Sequence, residues 1–200
     1  MLVWGIWKAR NDMLWKNISS SPGQIVAAAF IFKDAWRRAQ GLNKPGSRIQ
    51  CLENWIKPTA GRFKVNTDAA IKKGTGVVGL GWVVRDWEGS FMAAGAICWT
   101  GDYFPHEAEA LAMREAINWI KCEGWEELEA ESDAAQLVTS IREGPDDSSF
   151  GLIVGDIIEL STSFTSISFA HVRRSANRVA HELARVACSL SGCHVWKNSP

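Results

Sequence analysis

Three carboxylates occupy positions where an acid is costly unless something meets it. Asp68 belongs to "FKVNTDAAIKKGTG", residues 63–76, in which Phe63, Val65 and Thr67 alternate with Lys64, Asn66 and Asp68. A period of two is the pattern of a half-buried strand, and Asp68 closes it beside two small alanines. Glu109 falls in the first turn of a long helical pattern beginning at Pro105, and Asp133 stands between "ELEAES" and "AAQLV", where a strand gives way to a helix. A carboxylate withdrawn from water opposes folding unless a donor or a cation compensates it. In mixed α/β sheets, sites form where strand ends meet helix starts, so acids on three elements can converge there. Converged carboxylates repel one another unless divalent ions lie between them, and an oxygen-only set suits Mg²⁺ or Mn²⁺. Two such ions about 4 Å apart activate water and stabilise the leaving oxygen of a phosphodiester. Taken singly, each acid also has an ordinary structural use. Asp133 can cap a helix, Glu109 can complement a helix dipole, and Asp68 can hydrogen-bond at a strand end.

The elements that must hold these acids follow from hydrophobic period and turn chemistry. Residues 63–69, "VVGLGWVVRD" and "SFMAAGAICW" read as three strands joined by short turns, hence antiparallel hairpins. "PHEAEALAMREAINWIKCEG" reads as a helix opened by Pro105 and stopped by Gly124, with Ala108, Leu111, Ala112, Ala116 and Ile120 on one side. "ELEAES" is a fourth strand, "DAAQLVTSIREG" and "SFGLIVGDIIELSTSF" are helices, "TSISFAHV" is a fifth strand and "SANRVAHELARVACSL" a closing helix. The order implies an α/β domain, a mixed five-stranded sheet with helices on both faces, over 62–190. Residues 1–61 read as a helical N-terminal arm. One helix lies near 2–15, a second begins at Ser21 and Pro22, and "GLNKPGSR" at 41–48 is a linker. Residues 191–200 read as a C-terminal tail.

Composition limits the classes of function. With 200 residues, 46% of them apolar, the chain builds one ordinary domain plus an appendage. Its zero net charge hides an asymmetry: residues 1–61 carry 9 Lys/Arg and 3 Asp/Glu, whereas 62–190 carry 12 and 19. An acidic domain is a poor phosphate binder unless its acids hold cations. The dense acids of "EGWEELEAESD" are expected to face solvent for the most part. The five cysteines are scattered and odd in number, which reads as free thiols in a reducing, intracellular compartment. Cys188, Cys193 and His194 lack a second ligand pair at metal-site spacing and read as helix-end residues. No run of about 18 apolar residues is present, so no membrane span is expected, and "MLVWGIWKARND" is too soon interrupted by charge for a secretory signal. No run of basic residues marks a nuclear address, nothing chooses between nucleus and cytoplasm, and no protein partner is indicated.

"VNTDAA", "EAEALAMREAI", "ESDAAQLV" and "HVRRSANRVAHELA" occur in the order of type-one ribonuclease H domains. The sequence most resembles the reverse-transcriptase-like ribonuclease H domains abundant in plants and derived from non-LTR retroelements. The resemblance covers about residues 62–190. It extends to "GLGWVVRDWEG" and, upstream, to "IWKARND". It implies a ribonuclease H-like fold, two bound Mg²⁺ ions with Mn²⁺ as a substitute, and endonucleolytic cleavage of the RNA strand of an RNA–DNA hybrid, leaving 3′-hydroxyl and 5′-phosphate ends. Asp68, Glu109 and Asp133 then match the first three metal-binding acids. His171 matches the mobile histidine of proton transfer or product release, and Asn177 the substrate-binding asparagine in the closing helix. Lys72, Lys73, Arg173, Arg174 and Arg178 are the basic residues available to a nucleic-acid backbone. The family's fourth acid is expected after Ala180, where this chain has His181, an imidazole that can coordinate a metal without adding negative charge. Ala69 replaces a frequent glycine and is expected to crowd the hybrid backbone. Set against the enzyme is a catalytically weak or inactive nucleic-acid- or protein-binding module, or a gene fragment without a biochemical role.

Overall fold

The computed structural model describes residues 55–197. The two arm helices and the 41–48 linker fall outside the described residues. The strands are β1 (Phe63–Lys72), β2 (Val77–Arg85), β3 (Phe91–Thr100), β4 (Glu127–Ser132), β5 (Ser166–His171) and β6 (Cys193–Lys197). The helices are α1 (Pro105–Cys122), α2 (Ala135–Glu143), α3 (Ser149–Ser161) and α4 (Arg178–Ala187). The sheet runs β5-β4-β1-β2-β3-β6, with β4 parallel to both β1 and β5 and the other pairs antiparallel. No helix among the described residues is long and apolar enough to cross a membrane.

Each expected strand and helix of the domain is present, and the sheet gains a sixth strand from residues expected to form a tail. "CHVWK" is short, yet β3 offers it an open edge. Cys98 N donates to Gly192 O at 3.0 Å, leading the chain into the Ile97↔Cys193 register. Lys197 then anchors the far end, its Nζ 2.5 Å from Glu123 and 5.2 Å from the centre of the Trp119 ring.

The two faces of the sheet are covered differently. Val65, Trp82, Val84, Leu128 and Ala130 bury themselves against Met113, Ile117 and Ile120 of α1 and Val154 and Ile157 of α3. At the base of this layer Trp82 tilts against Trp119 at 4.6 Å and Phe63 stacks on Trp125 at 4.5 Å. Among the described residues, α4 is the helix that packs on the opposite face. Its approach depends on Gly79 and Gly81, because a Cβ at Gly81 would lie 2.2 Å from Ala184 N and 2.7 Å from Ala180 O. Any side chain there pushes the helix off the sheet.

Beyond α4 the same face is polar and still buried. Lys64, Asn66 and Asp68 are only 4%, 1% and 3% exposed. The period of two identified the strand correctly, but its polar side is not solvated. Residues 55–62 lie over it: Trp55 Nε1 donates to Asn66 Oδ1 at 2.8 Å, Lys64 Nζ donates to Ile56 O at 2.9 Å, and Thr59 N donates to Glu129 at 3.0 Å. Glu129 and Glu131 are therefore exceptions to the solvated acidic stretch, since Lys64 Nζ lies 3.2 and 2.6 Å from them. Losing one partner of such a buried pair costs about 3–5 kcal/mol.

Two stability outcomes follow. Gly81→Ala is expected to lose at least about 2 kcal/mol in chemical denaturation, because neither contact is a movable side-chain tip. A fragment of residues 55–197 is expected to unfold cooperatively. One of residues 62–190 loses both β6 and the cover over Lys64 and unfolds at distinctly lower denaturant.

Candidate metal centre

Asp68 lies within β1, which runs on to Lys72 rather than ending at the acid. Strand register brings the second acid to it. Thr67 pairs with Ser132, the last residue of β4, so the next residue of each strand, Asp68 and Asp133, stands where the parallel pairing stops. Asp133 does not cap the following helix. Ala134 holds that position without a side-chain bond, and its N–H donates to Ser132 Oγ at 3.1 Å. Glu109 arrives from α1, whose start is fixed by Pro105 and by Glu107 accepting the Phe104 N–H at 2.8 Å. Asp68, Glu109 and Asp133 each offer an oxygen, and all three oxygens lie within 4.8 Å of one another.

The electrostatics record the cost of this arrangement. Burial pushes the Glu109 carboxyl up to about 10, and neighbouring Asp68 and Asp133 add to the shift. Asp68 is also raised, by burial first and by Asp133, while its hydrogen bond with Glu109 and the nearby His181 act in the opposite direction. Glu109 Oε2 is buried without a hydrogen-bond partner. An orphaned oxygen among crowded carboxyls, in an all-oxygen donor set, fits a hard divalent cation. Asp68, Glu109 and Asp133 are the residues that can hold one.

The remaining candidates surround this centre unequally. His181 faces Asp68 from α4, with Nδ1 2.7 Å from Asp68 Oδ2. Arg174 Nη2 lies 3.2 Å from His181 Nε2 and 3.3 Å from Nδ1. These near-equal distances place the guanidinium over the face of the ring, while the ring edge at Nδ1 meets the Asp68 carboxyl. Asn177, expected at the substrate surface, is fully buried, and its Nδ2 donates to Thr67 O and Asp133 Oδ1, each at 2.8 Å. It ties β1, β4 and the start of α4 together beneath the acids. His171 is exposed at the end of β5, opposite Ser132. Lys72, Lys73, Arg173 and Arg174 are exposed and Arg178 half-buried. Ala69 does not crowd a groove, because its methyl packs into the apolar cluster of Val78, Leu80, Ala108 and Leu111. Sequence reasoning missed Gly81, which lies directly opposite Asp68 and lets α4 bring His181 within reach. The signal was the Gly-x-Gly within an otherwise apolar strand, at Gly79 and Gly81.

This six-stranded mixed sheet, with a carboxylate cluster where β1, α1 and the end of β4 meet, is a ribonuclease H-like fold. The model of the reverse transcriptase-like family matches residues 66–187, and the chain belongs to that family. An Arabidopsis thaliana protein provisionally named a ribonuclease H protein is 29% identical over 100% of this chain, which spans 33% of that relative's length. The ribonuclease H1 of the halophilic archaeon Halobacterium salinarum superposes with a TM-score of 0.59 at 25% identity, over 64% of this chain and 98% of its own. LC11-RNase H1, solved in complex with an RNA/DNA hybrid, gives 0.58 at 19% identity, over 64% of this chain and 97% of its own.

A group protonated in the folded state and ionised in the unfolded one favours folding less as pH rises. Glu109, raised above its ordinary 4.5, therefore removes stability from the metal-free protein between about pH 4.5 and 10. Glu109→Gln is expected to raise the metal-free melting temperature at pH 8 by roughly 3–6 °C and to abolish the further rise expected from an added divalent cation in the parent chain, both read by thermal denaturation.

Proposed function

We propose that this domain cleaves the RNA strand of RNA–DNA hybrids with the help of divalent cations held by Asp68, Glu109 and Asp133. The observation that carries the reading is the convergence of these three acids within 4.8 Å, all inside the span that matches the family to which the chain belongs. Two Mg²⁺ ions are the proposed complement, with Mn²⁺ as a substitute. When bound, they supply Lewis-acid activation of water and stabilisation of charge on the scissile phosphate. The protein's own groups orient that chemistry. Asn177 fixes Asp133 and the β1 backbone, His181 and Arg174 hold the Asp68 carboxylate from the α4 side, and exposed His171 is free to carry a proton at the rim. Lys72, Arg173 and Arg174 offer positive charge to the nucleic-acid backbone, and contacts to 2′-hydroxyls identify the RNA strand. The free thiols of Cys98, Cys122 and Cys188 support action in a reducing, intracellular compartment.

A second reading, a binding module with weak or no catalysis, is favoured by one observation. His181 occupies the place of a fourth acid and gives its Nδ1 to Asp68, so the centre has one negative charge fewer for a second ion.

Labelled hybrid incubated with the protein in Mg²⁺ and then in Mn²⁺ separates the two. Cleavage of the RNA strand to 5′-phosphate products, reduced at least about 100-fold by Asp68→Asn, is the enzyme's result. Hybrid binding without cleavage in either ion is the module's. His181→Asp is expected to increase Mg²⁺-dependent cleavage. A folded variant without gain in cleavage or metal affinity would remove His181 as the limiting position.

A further inference from the structure

The helix that delivers Glu109 begins with an exposed aromatic ring held rigidly in water. Phe104, immediately before α1, is 67% exposed. Its ring lies parallel to that of His106, with centroids 5.7 Å apart and planes 11° apart. His106 in turn meets the buried Phe150 edge-on at 4.9 Å. The backbone beneath is locked as well: Glu107 accepts the Phe104 N–H at 2.8 Å and also the Ser149 hydroxyl, which ties the start of α1 to the start of α3. Both hydrogen bonds hold Glu107 below its usual range, so the lock stays ionised. One face of the Phe104 ring is supported by His106, and the ring as a whole remains largely open to solvent.

His106 and Glu109 are three residues apart and share a side of α1. Phe104 itself precedes the helix in extended backbone, and its stack on His106, one helical turn from Glu109, sets the ring about 10 Å from that residue, roughly three stacked nucleotides. A flat, pre-positioned aromatic surface at that distance from a phosphodiester-cleaving centre suits the face of a nucleobase. Bases inside a duplex have both faces occupied by their neighbours, so away from a duplex end only an unpaired base can use the surface. Resting on the nucleic-acid reading above, we propose that Phe104, backed by His106, stacks an unpaired nucleotide, and that the domain prefers hybrids with a single-stranded overhang or junction beside the cut.

The test uses the full chain carrying Asp68→Asn, so that binding is read without cleavage. The probe is a hybrid with 2-aminopurine as the first unpaired base of a short overhang, at either end of the RNA strand, compared with the blunt hybrid. Stacking is expected to quench the probe on binding and to make the overhang hybrid bind about tenfold more tightly than the blunt one, the size of one stacked base. Phe104→Ala should abolish both the quench and the preference, Phe104→Trp should keep them, and Leu152→Ala, at an equally exposed apolar residue of α3, should leave them intact. Equal affinity for blunt and overhang hybrids, or a quench that survives Phe104→Ala in a chain of unchanged melting temperature, overturns the platform. If neither hybrid binds, the nucleic-acid reading fails and the platform with it. If both bind equally while the unmutated chain cleaves hybrid, only the platform fails.

Discussion

The structure is organised around a repulsion. Two unit charges about 4 Å apart oppose each other by about 4 kcal/mol at an effective dielectric of about 20, and three carboxyls here share less than 5 Å. The fold meets this cost with rigidity on every side. Parallel pairing fixes Asp68 against Asp133, α1 brings in Glu109 through a helix whose start is locked, and Asn177 and His181 grip the group from α4. Protonation of Glu109 relieves the repulsion in the absence of a cation, and a cation relieves it by occupying the same space. The cluster is thus a store of unfavourable energy that binding releases.

The polar side of β1 extends that arrangement away from the centre. Lys64, Asn66 and Asp68 point to one face, and register sets Glu129 and Glu131 beside the first two. Lys64 neutralises the two glutamates, Asn66 joins Glu131 to Trp55, and only the last rung is left to an external cation. The charge within the domain core is balanced internally up to the point where the chemistry is placed.

Much of this was legible in the sequence, and the misses have identifiable causes. Period-two and helical patterns located β1 to β5 and α1 to α4 because apolar residues recur at the spacing of one face, as Leu111, Ala116 and Ile120 do on α1. Asp133 was legible because it lies between β4 and α2 and Glu109 because it lies near the start of α1, whereas Asp68, expected at a strand end, lies within β1. β6 was not legible, since five residues, none of them fully buried, leave too short a period, and an open edge on β3 decides their fate. Asn177 was identified as a position but not as a brace, because its partners, Thr67 and Asp133, are distant in sequence. Lys64 and Glu131 looked like solvated charges for the same reason: burial on a strand's second face depends on what another segment lays over it.

The sheet's parallel seam also dictates when the centre can exist. Asn66 and Glu131 are 65 residues apart, Asn177 is 110 residues from Thr67, and His181 is 113 from Asp68. The β1-β2-β3 meander can form from local contacts, whereas closing the seam must overcome the entropy of a long loop before any contact rewards it. On a growing chain, the meander is complete long before α4 has been made. The acids acquire their geometry only in the final stage of folding, so an incomplete chain carries the strands of the domain without a competent cation site.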